Sequence, residues 1–422
     1  GGIAIIGNRE LTNIPDFVPI DKNNLTTDIA KAVKDADIIL NITPATGHEY
    51  YAKLVAPHVE DGQIITTYGK GGGALTYARV FKEMGVDKDV YLSDTNTLPF
   101  GVSKMGWLGF PPNTIRIEAP TNNFILATFP AKKLNKVYDA QKKLFPNYSI
   151  RKGKNDLESL LVDYNALTHP PPMICNAARI ESGDHSFHLF GRDALTPAVV
   201  EVINRLDLER KAMSEKLGIP YHSLAEEVYL VGWNPPYGLY GKGKEDKILP
   251  LFEALHTEYL EVCEGPFSLN VRMLTEDIPY GLVTYSSLGD MLGVDTPVTD
   301  AIITLAEALL KRDFRSIGRT VEKLGINPLD SKEVMIEKIK ETTNEIESDL
   351  SSTLNLLSLM NYSIPEIIKD NYNDLYSSVY EYHDKISTLN SIDLEFLVNP
   401  VTTQLIGIFE GSNSDGFSFS VL

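Results

Sequence analysis

Short, nearly unbroken apolar runs alternate with amphipathic stretches over the first 150 residues. Residues 37–43, 62–67, 90–92, 114–117 and 123–128 read as strands, the first of them closed by Pro44. Between them, residues 28–36 place Ile29, Ala32 and Val33 on one helical face, and residues 48–55 form a second helix. Strands that are apolar on both faces and separated by helices predict a mostly parallel sheet covered on both sides. Residues 1–151 are therefore expected to form a doubly wound α/β domain. From residue 152 the period becomes helical. Residues 197–217 carry an apolar face of Val199, Val200, Ile203, Leu206 and Leu208, with Gly218 as the stop, and residues 298–310 form another helix. Residues 152–328 are read as a mostly α-helical domain. The remainder, 329–422, opens with Glu333, Glu337, Glu341 and Glu345, one acidic residue per turn, which is a solvated helical face. Further helices are expected over residues 349–360 and 364–389, and residues 410–420, rich in Ser and Gly, read as a loose terminus.

A chain of 422 residues fits this division into two or three domains. The formal net charge of −18, about half of it carried after residue 330, disfavours nucleic acid and anionic membrane as partners. No apolar run reaches the length of a membrane span, and no basic segment followed by an apolar stretch marks a signal peptide. Cys175 and Cys263 stand in no metal-binding spacing, so a reducing, cytoplasmic setting is expected and no metal centre is.

The candidate chemistry begins at Asn165 and His169. Four residues apart, they share one helical face, and Pro170, Pro171 and Pro172 are expected to end that helix. His169 would then sit at a negative helix terminus, a setting that favours the protonated imidazole and suits an acid/base. A histidine that simply caps a helix end is the alternative for an isolated site. A second feature, Tyr68, Gly69, Lys70, Gly71, Gly72 and Gly73, lies between a strand and a helix. It lacks both the GxxxxGK[ST] and the GxGxxG spacing of phosphate-binding turns.

Residues 165–176, NALTHPPPMICN, resemble a signature of the opine dehydrogenase family, the octopine and nopaline dehydrogenases and their relatives. Arg272 to Leu282, RMLTEDIPYGL, is similar to the family's second signature. Ser93 to Pro99 resembles its threonine-leucine-proline turn, and residues 37–40 followed by Pro44 and His48 resemble its strand, proline and histidine beside the cofactor. Gly318 to Gly325 resembles the close of its catalytic domain. The resemblance covers about residues 1 to 328 and implies a Rossmann-like domain followed by an all-α catalytic domain. The family condenses an amine, usually of an amino acid, with a 2-oxo acid and reduces the imine with NADH or NADPH. By resemblance His169 is the acid/base, oriented by Asp277. Arg272 binds the oxo-acid carboxylate, Asn165 and Thr97 contact substrate, and Pro44 and His48 flank the cofactor.

The family's first strand, glycine-rich turn and helix have no counterpart at the start of this sequence, where residues 1–7 resemble the segment that follows them. That implies a truncated cofactor domain, whose sheet should have an open gap with unpaired backbone groups. The choice between NAD and NADP is not readable, because the residue that sets it follows the second strand. Two rivals remain: a carbonyl or hydroxyacid reductase of the wider superfamily, and a non-catalytic remnant. Those reductases use a lysine where this chain has His169, and no lysine lies between Lys154 and Lys211. Residues 329–422 lie outside the resemblance and leave a lid, or a homodimer contact, open as their role.

Overall fold

Six strands build the main sheet, in the order β7-β6-β3-β2-β1-β8. The computed structural model describes residues 26–104, 115–120, 123–183, 188–231, 248–256, 266–326 and 419–421. In chain order, helix α1 (Ile29–Val33) leads to strand β1 (Ile38–Asn41), and helix α2 (His48–Val55) to β2 (Ile64–Thr67). Helix α3 (Gly73–Glu83) then precedes β3 (Tyr91–Thr95). These three strands are parallel neighbours, with Ile38 opposite Ile64 and Ile64 opposite Tyr91. Their side chains divide between the two faces with the period of two that a pleated strand imposes. Ile39, Ile65 and Leu92 pack under α1, α2 and α3 with Val33, Val55, Tyr77 and Val80. Ile38, Leu40 and Ile64 pack on the opposite face with Phe124, Leu126, Leu134 and Val137. This is the sheet buried on both sides that the apolar runs predict.

The later strands depart from a purely parallel arrangement. Strands β4 (Phe100–Lys104) and β5 (Ile115–Pro120) leave the sheet as a separate antiparallel ribbon. Strand β6 (Asn123–Phe129) returns antiparallel to β3, and β7 (Ser149–Lys152) runs parallel to β6 after helix α4 (Leu134–Leu144). The run at residues 114–117 is thus a strand, but not one of the main sheet.

At β1 the described residues show a paired strand edge rather than an open gap. Residues Phe419–Val421 form β8, a parallel partner of β1 with Phe419 opposite Ile38, so the terminus is not wholly loose. An exposed strand edge offers unpaired N–H and C=O groups, and a short segment with Phe and Val can satisfy them. Residues 1–7 and the acidic helices expected over 329–389 lie outside the described residues.

Between Asp156 and residue 326 the regular elements among the described residues are helical. The order is α5 (Asp156–Leu161), α6 (Tyr164–Thr168), α7 (Pro170–Cys175), α8 (Ala177–Glu181), α9 (Pro197–Lys216), α10 (Leu224–Leu230) and α11 (Leu251–Leu255). Then follow α12 (Arg272–Thr275), a π-helical turn Ile278–Leu282, α13 (Val283–Leu292), α14 (Pro297–Leu310) and α15 (Phe314–Ile317). Along α9, Val199, Val200, Ile203 and Leu206 are buried as expected, but Leu208 is 45% exposed. Asp207, Glu209 and Arg210 are buried in its place, each with a partner. Glu209 caps α14 by accepting from the backbone N–H of Val298 at 2.7 Å and of Thr299 at 3.0 Å. A carboxylate at a helix N-terminus is favourable, so this side of α9 is polar and still buried. No helix among the described residues is long and apolar enough to cross a membrane.

Candidate active site

The helical end of the site is built from α5 to α7. Asn155 opens α5 by accepting from the backbone N–H of Leu157 and of Glu158. At the other end of α5 the hydroxyl of Tyr285, on α13, lies 3.0 Å from the carbonyl of Leu161 and 3.3 Å from that of Asp163. This holds the sharp corner at which Asp163 starts α6. The three prolines do not stop helical backbone. Helix α6 ends at Thr168, but α7 begins at Pro170, so His169 is the last cap of one helix and the first of the next. Proline is tolerated in a first helical turn because its missing N–H has no partner there anyway. The negative end of α6 therefore meets the positive end of α7 at His169, and the helix-end field expected from the sequence is offset.

What acts on His169 is a carboxylate. Its Nδ1 lies 2.7 Å from Oδ2 of Asp277, 108 residues away in the chain. The imidazole is 18% exposed and Asp277 is buried. With Nδ1 committed to Asp277, Nε2 is the nitrogen left for a reacting group. The second oxygen of Asp277, Oδ1, accepts from the ammonium of Lys70 at 2.9 Å. The same ammonium donates to Oδ2 of Asp163. All three groups of this ion triad are nearly inaccessible to water. Burial alone would push the Asp277 carboxyl up, but the charge of Lys70 and the hydrogen bond from His169 hold it at about 2. Burial and the neighbouring Asp277 raise Asp163 against the pull of Lys70. Burial opposes the charge on Lys70 too, yet Asp163 and Asp277 raise it above the usual lysine range.

Lys70 reaches this place because the glycine run fits against α5. A Cβ on Gly71 would lie 2.3 Å from the backbone N and Cα of Leu160. Gly72 has φ +85°, in the left-handed region where glycine carries no penalty. The turn does not cradle phosphate. Asp94, at the end of β3, accepts from the N–H of Gly72 at 2.8 Å and of Ala74 at 3.2 Å, so a carboxylate of the chain occupies the N-terminus of α3. Asp94 also accepts from the hydroxyl of Ser159 on α5, and burial pushes its carboxyl up to about 6. Arg319 closes the assembly, donating through Nη2 to the carbonyls of Gly71 and of Tyr280. Its backbone N–H donates to the carbonyl of Pro279 at 2.8 Å. Carbonyls of the π-helical turn thus find partners outside their own helix.

The other residues singled out from sequence fall in different places. Asn165 is half-buried on α6, one turn before His169. Thr97 is buried and bonded to the hydroxyl of Tyr164, which ties the turn after β3 to α6. Arg272 is 72% exposed, and its Nε lies 2.7 Å from Oε2 of Glu276. Glu276 in turn accepts from the backbone N–H of Ala45 at 2.9 Å. That link brings Arg272 to the turn after β1, where Pro44 is exposed. His48 lies beneath this turn and is buried, and neither ring nitrogen makes a hydrogen bond of ordinary geometry. Burial, and next the charge of Arg319, lower it to about 3, so it is neutral at physiological pH. Sequence reasoning missed Lys70 and Asp163. Lys70 was hidden in the glycine run, and its partners lie 93 and 207 residues away.

Residues 152–310 match the family described as NAD/NADP octopine/nopaline dehydrogenase, alpha-helical domain. The opine dehydrogenase of Arthrobacter sp. (strain 1C) is 33% identical over 309 residues, 72% of this chain and 79% of that protein. The chain belongs to the opine dehydrogenase family. It is accordingly an NAD(P)-dependent oxidoreductase. An octopine dehydrogenase solved with NADH and L-arginine has the same fold, with a TM-score of 0.57 at 17% identity over 72% of this chain and 79% of its own. The octopine dehydrogenase structure with NADH and pyruvate gives 0.53 at 17% identity, over 73% and 80%.

In this member of the family the described residues fit a dinucleotide in part. In a doubly wound sheet such a cofactor lies outside the carboxyl ends of the strands. Here that edge carries the exposed Ile42 and Pro44 after β1. The α3 turn offers no cradle for a pyrophosphate, since Asp94 already holds its N–H groups.

Proposed function

We propose that this oxidoreductase joins the amino group of an amino acid to a 2-oxo acid and reduces the resulting imine to a secondary-amine dicarboxylate. The observation that carries the reading is the His169–Asp277 pair, at 2.7 Å and with Asp277 held ionised by Lys70. An imidazole whose Nδ1–H donates to a fixed carboxylate presents Nε2 as a proton donor or acceptor. In the condensing direction His169 gives its proton to the carbinolamine hydroxyl, which leaves as water. In the reverse direction its neutral form takes a proton from the secondary amine. Asp277 stays ionised throughout and balances the imidazolium. NAD(P)H, when bound, supplies the hydride that reduces the imine.

Arg272 binds the 2-oxo acid carboxylate in this reading. Its guanidinium is accessible, and Glu276 both orients it and links it to the turn that forms the cofactor wall. Pro44 contributes that wall, while His48 supports it from beneath as a neutral group. Asn165 faces the substrate beside His169, and Thr97 acts through Tyr164. The division at residues 151 and 152 then separates a cofactor-binding part from a catalytic one. The octopine dehydrogenase structures that carry L-arginine and pyruvate support the choice of an amino acid and a 2-oxo acid as the two substrate classes.

The test is oxidation of NADH and of NADPH by the chain with pyruvate, with and without a mixture of amino acids. Oxidation that depends on the amine is expected. Equal oxidation without amine would replace the reading with a carbonyl reductase.

A further inference from the structure

The geometry points to Lys70 as a positioning residue whose ammonium, balanced by Asp163, sets how strongly Asp277 holds the proton of His169. The inference deepens the proposed acid/base role of His169 and rests on it.

Asp277 divides its two oxygens between two cations. Oδ1 takes the Lys70 ammonium at 2.9 Å, and Oδ2 takes the imidazole at 2.7 Å. The carboxylate cannot rotate toward one without leaving the other, so Lys70 fixes the oxygen that faces His169. The two cations also compete for one negative charge. Asp163 moderates that competition, because its Oδ2 binds the same ammonium and no described residue lies between. Lys70 and Asp163 together are neutral, and their sum is what His169 senses through Asp277. None of these groups is screened, since Lys70 and Asp163 are at most 4% exposed in their side chains and Asp277 is 8% exposed.

The remaining charged groups do not replace this balance. Glu276, from the same turn as Asp277, acts on Lys70 at longer range and is bonded to Arg272 and Ala45. Arg319, after α15, acts on Asp163 and is anchored to carbonyls. His48, under the β1 turn, is neutral. Lys70 also comes from the turn between β2 and α3, whereas Asp163, His169 and Asp277 come from the helical part. The proton affinity of the acid/base is therefore tied to the fit of the glycine turn against α5.

Charge balance gives predictions of opposite sign. Removing the cation leaves Asp163 unbalanced, so Lys70→Met should raise the His169 titration midpoint. Removing the balancing anion leaves Lys70 free to compete, so Asp163→Asn should lower it. A charge within about 4–6 Å of a titrating group moves it by about one pH unit or more, and the direction of the shift is what the variants test. The double variant restores the net charge and should bring the midpoint back toward the starting value, and Lys70→Arg should hold it there. The readout is the titration of the His169 ε1 proton and carbon by NMR in the full chain, with thermal melts as the folding control. In the active protein, the pH limb of kcat/KM should move with the same sign.

A lysine that merely ties the sheet to the helices would lower the melting temperature in every variant and leave the midpoint where it was. That result, or shifts of one sign that the double variant does not cancel, overturns the inference. Asp163→Asn and Lys70→Arg keep the question answerable if Lys70→Met fails to fold. Opposite, cancelling shifts in a chain without amine-dependent turnover would support the role of Lys70 while refuting the proposed reaction.

Discussion

The fit of the glycine turn against α5 can be tested with one methyl group. In Gly71→Ala the new Cβ would start 2.3 Å from backbone atoms of Leu160, against the 3.4 Å at which ordinary contact begins. Something must open by about 1 Å, and because the obstacle is backbone, no side chain can swing aside to absorb it. Overpacking of this kind costs roughly 1–3 kcal/mol. At roughly 2–4 °C per kcal/mol for a domain of this size, the melting temperature should fall visibly. The larger effect should be on turnover. Lys70 adjoins Gly71 and Asp163 follows α5, so the same opening separates the ion triad that holds Asp277. A displacement of about 1 Å at a catalytic group is worth on the order of 10²-fold in rate. The control is Gly85→Ala, where φ is +68° and a Cβ meets nothing within 4 Å. That variant should lose a little stability from backbone strain and keep its turnover. Circular dichroism melts and amine-dependent NADH oxidation measure both quantities. A Gly71→Ala protein with unchanged melting temperature and unchanged turnover would refute the close approach, and with it the coupling between turn and site.

Other expectations follow from the same geometry. His169→Ala and Asp277→Asn should each lower kcat by roughly 10²–10⁴-fold, the range for loss of a general acid/base, while the dissociation constant for NADH stays nearly constant. Equal loss of cofactor affinity would assign the pair to scaffold instead. Arg272→Met should raise KM for the 2-oxo acid much more than for the amine, with Arg272→Lys recovering only part, since an ammonium cannot form the bidentate pair. A variant in which the amine KM rises equally would remove Arg272 from that role. His48 is held neutral, with its proton affinity lowered to about 3 from the ordinary histidine value near 6.5. The unfolded chain therefore binds a proton that the folded chain refuses, and stability should fall as pH drops from about 6.5 toward 3. The loss is about 2 kcal/mol by pH 5. His48→Leu should flatten melting temperature against pH over that window, and an identical slope in both proteins would sink the assignment.

The parts of the fold visible in the sequence were those with a local period. Residues 48–55 carry a complete amphipathic turn pattern and form α2 over that span, and the run at 62–67 contains β2 at Ile64–Thr67. His169 and Asp277 could be singled out because each lies in an extended signature, and the structure brings them together. What escaped were properties set by distant partners. Lys70 sits among glycines that suggest a phosphate turn, and only the approach of Asp163 and Asp277 in three dimensions gives it a different role. Leu208 follows the apolar pattern of α9 yet faces out, because Asp207, Glu209 and Arg210 have buried partners that no periodicity reveals. The continuation of helix through Pro170 was missed for a related reason. A proline ends the helix before it but is well placed to begin another.

The π-helical turn at Ile278–Leu282 sets the angular phase of everything before it. Successive residues of a helix are offset by about 100°, so one residue removed from this turn would rotate Asp277 by about that angle around the axis. Helix α13 would keep its own orientation, with Tyr285 still able to face the corner between α5 and α6. Asp277 would point away from both His169 and Lys70, though every side chain of the triad remained in the protein. Length within these five residues is therefore as much a determinant of the site as the identity of any residue in it. A chain that conserved His169, Asp277 and Lys70 but was one residue shorter there would present three familiar groups and no working pair.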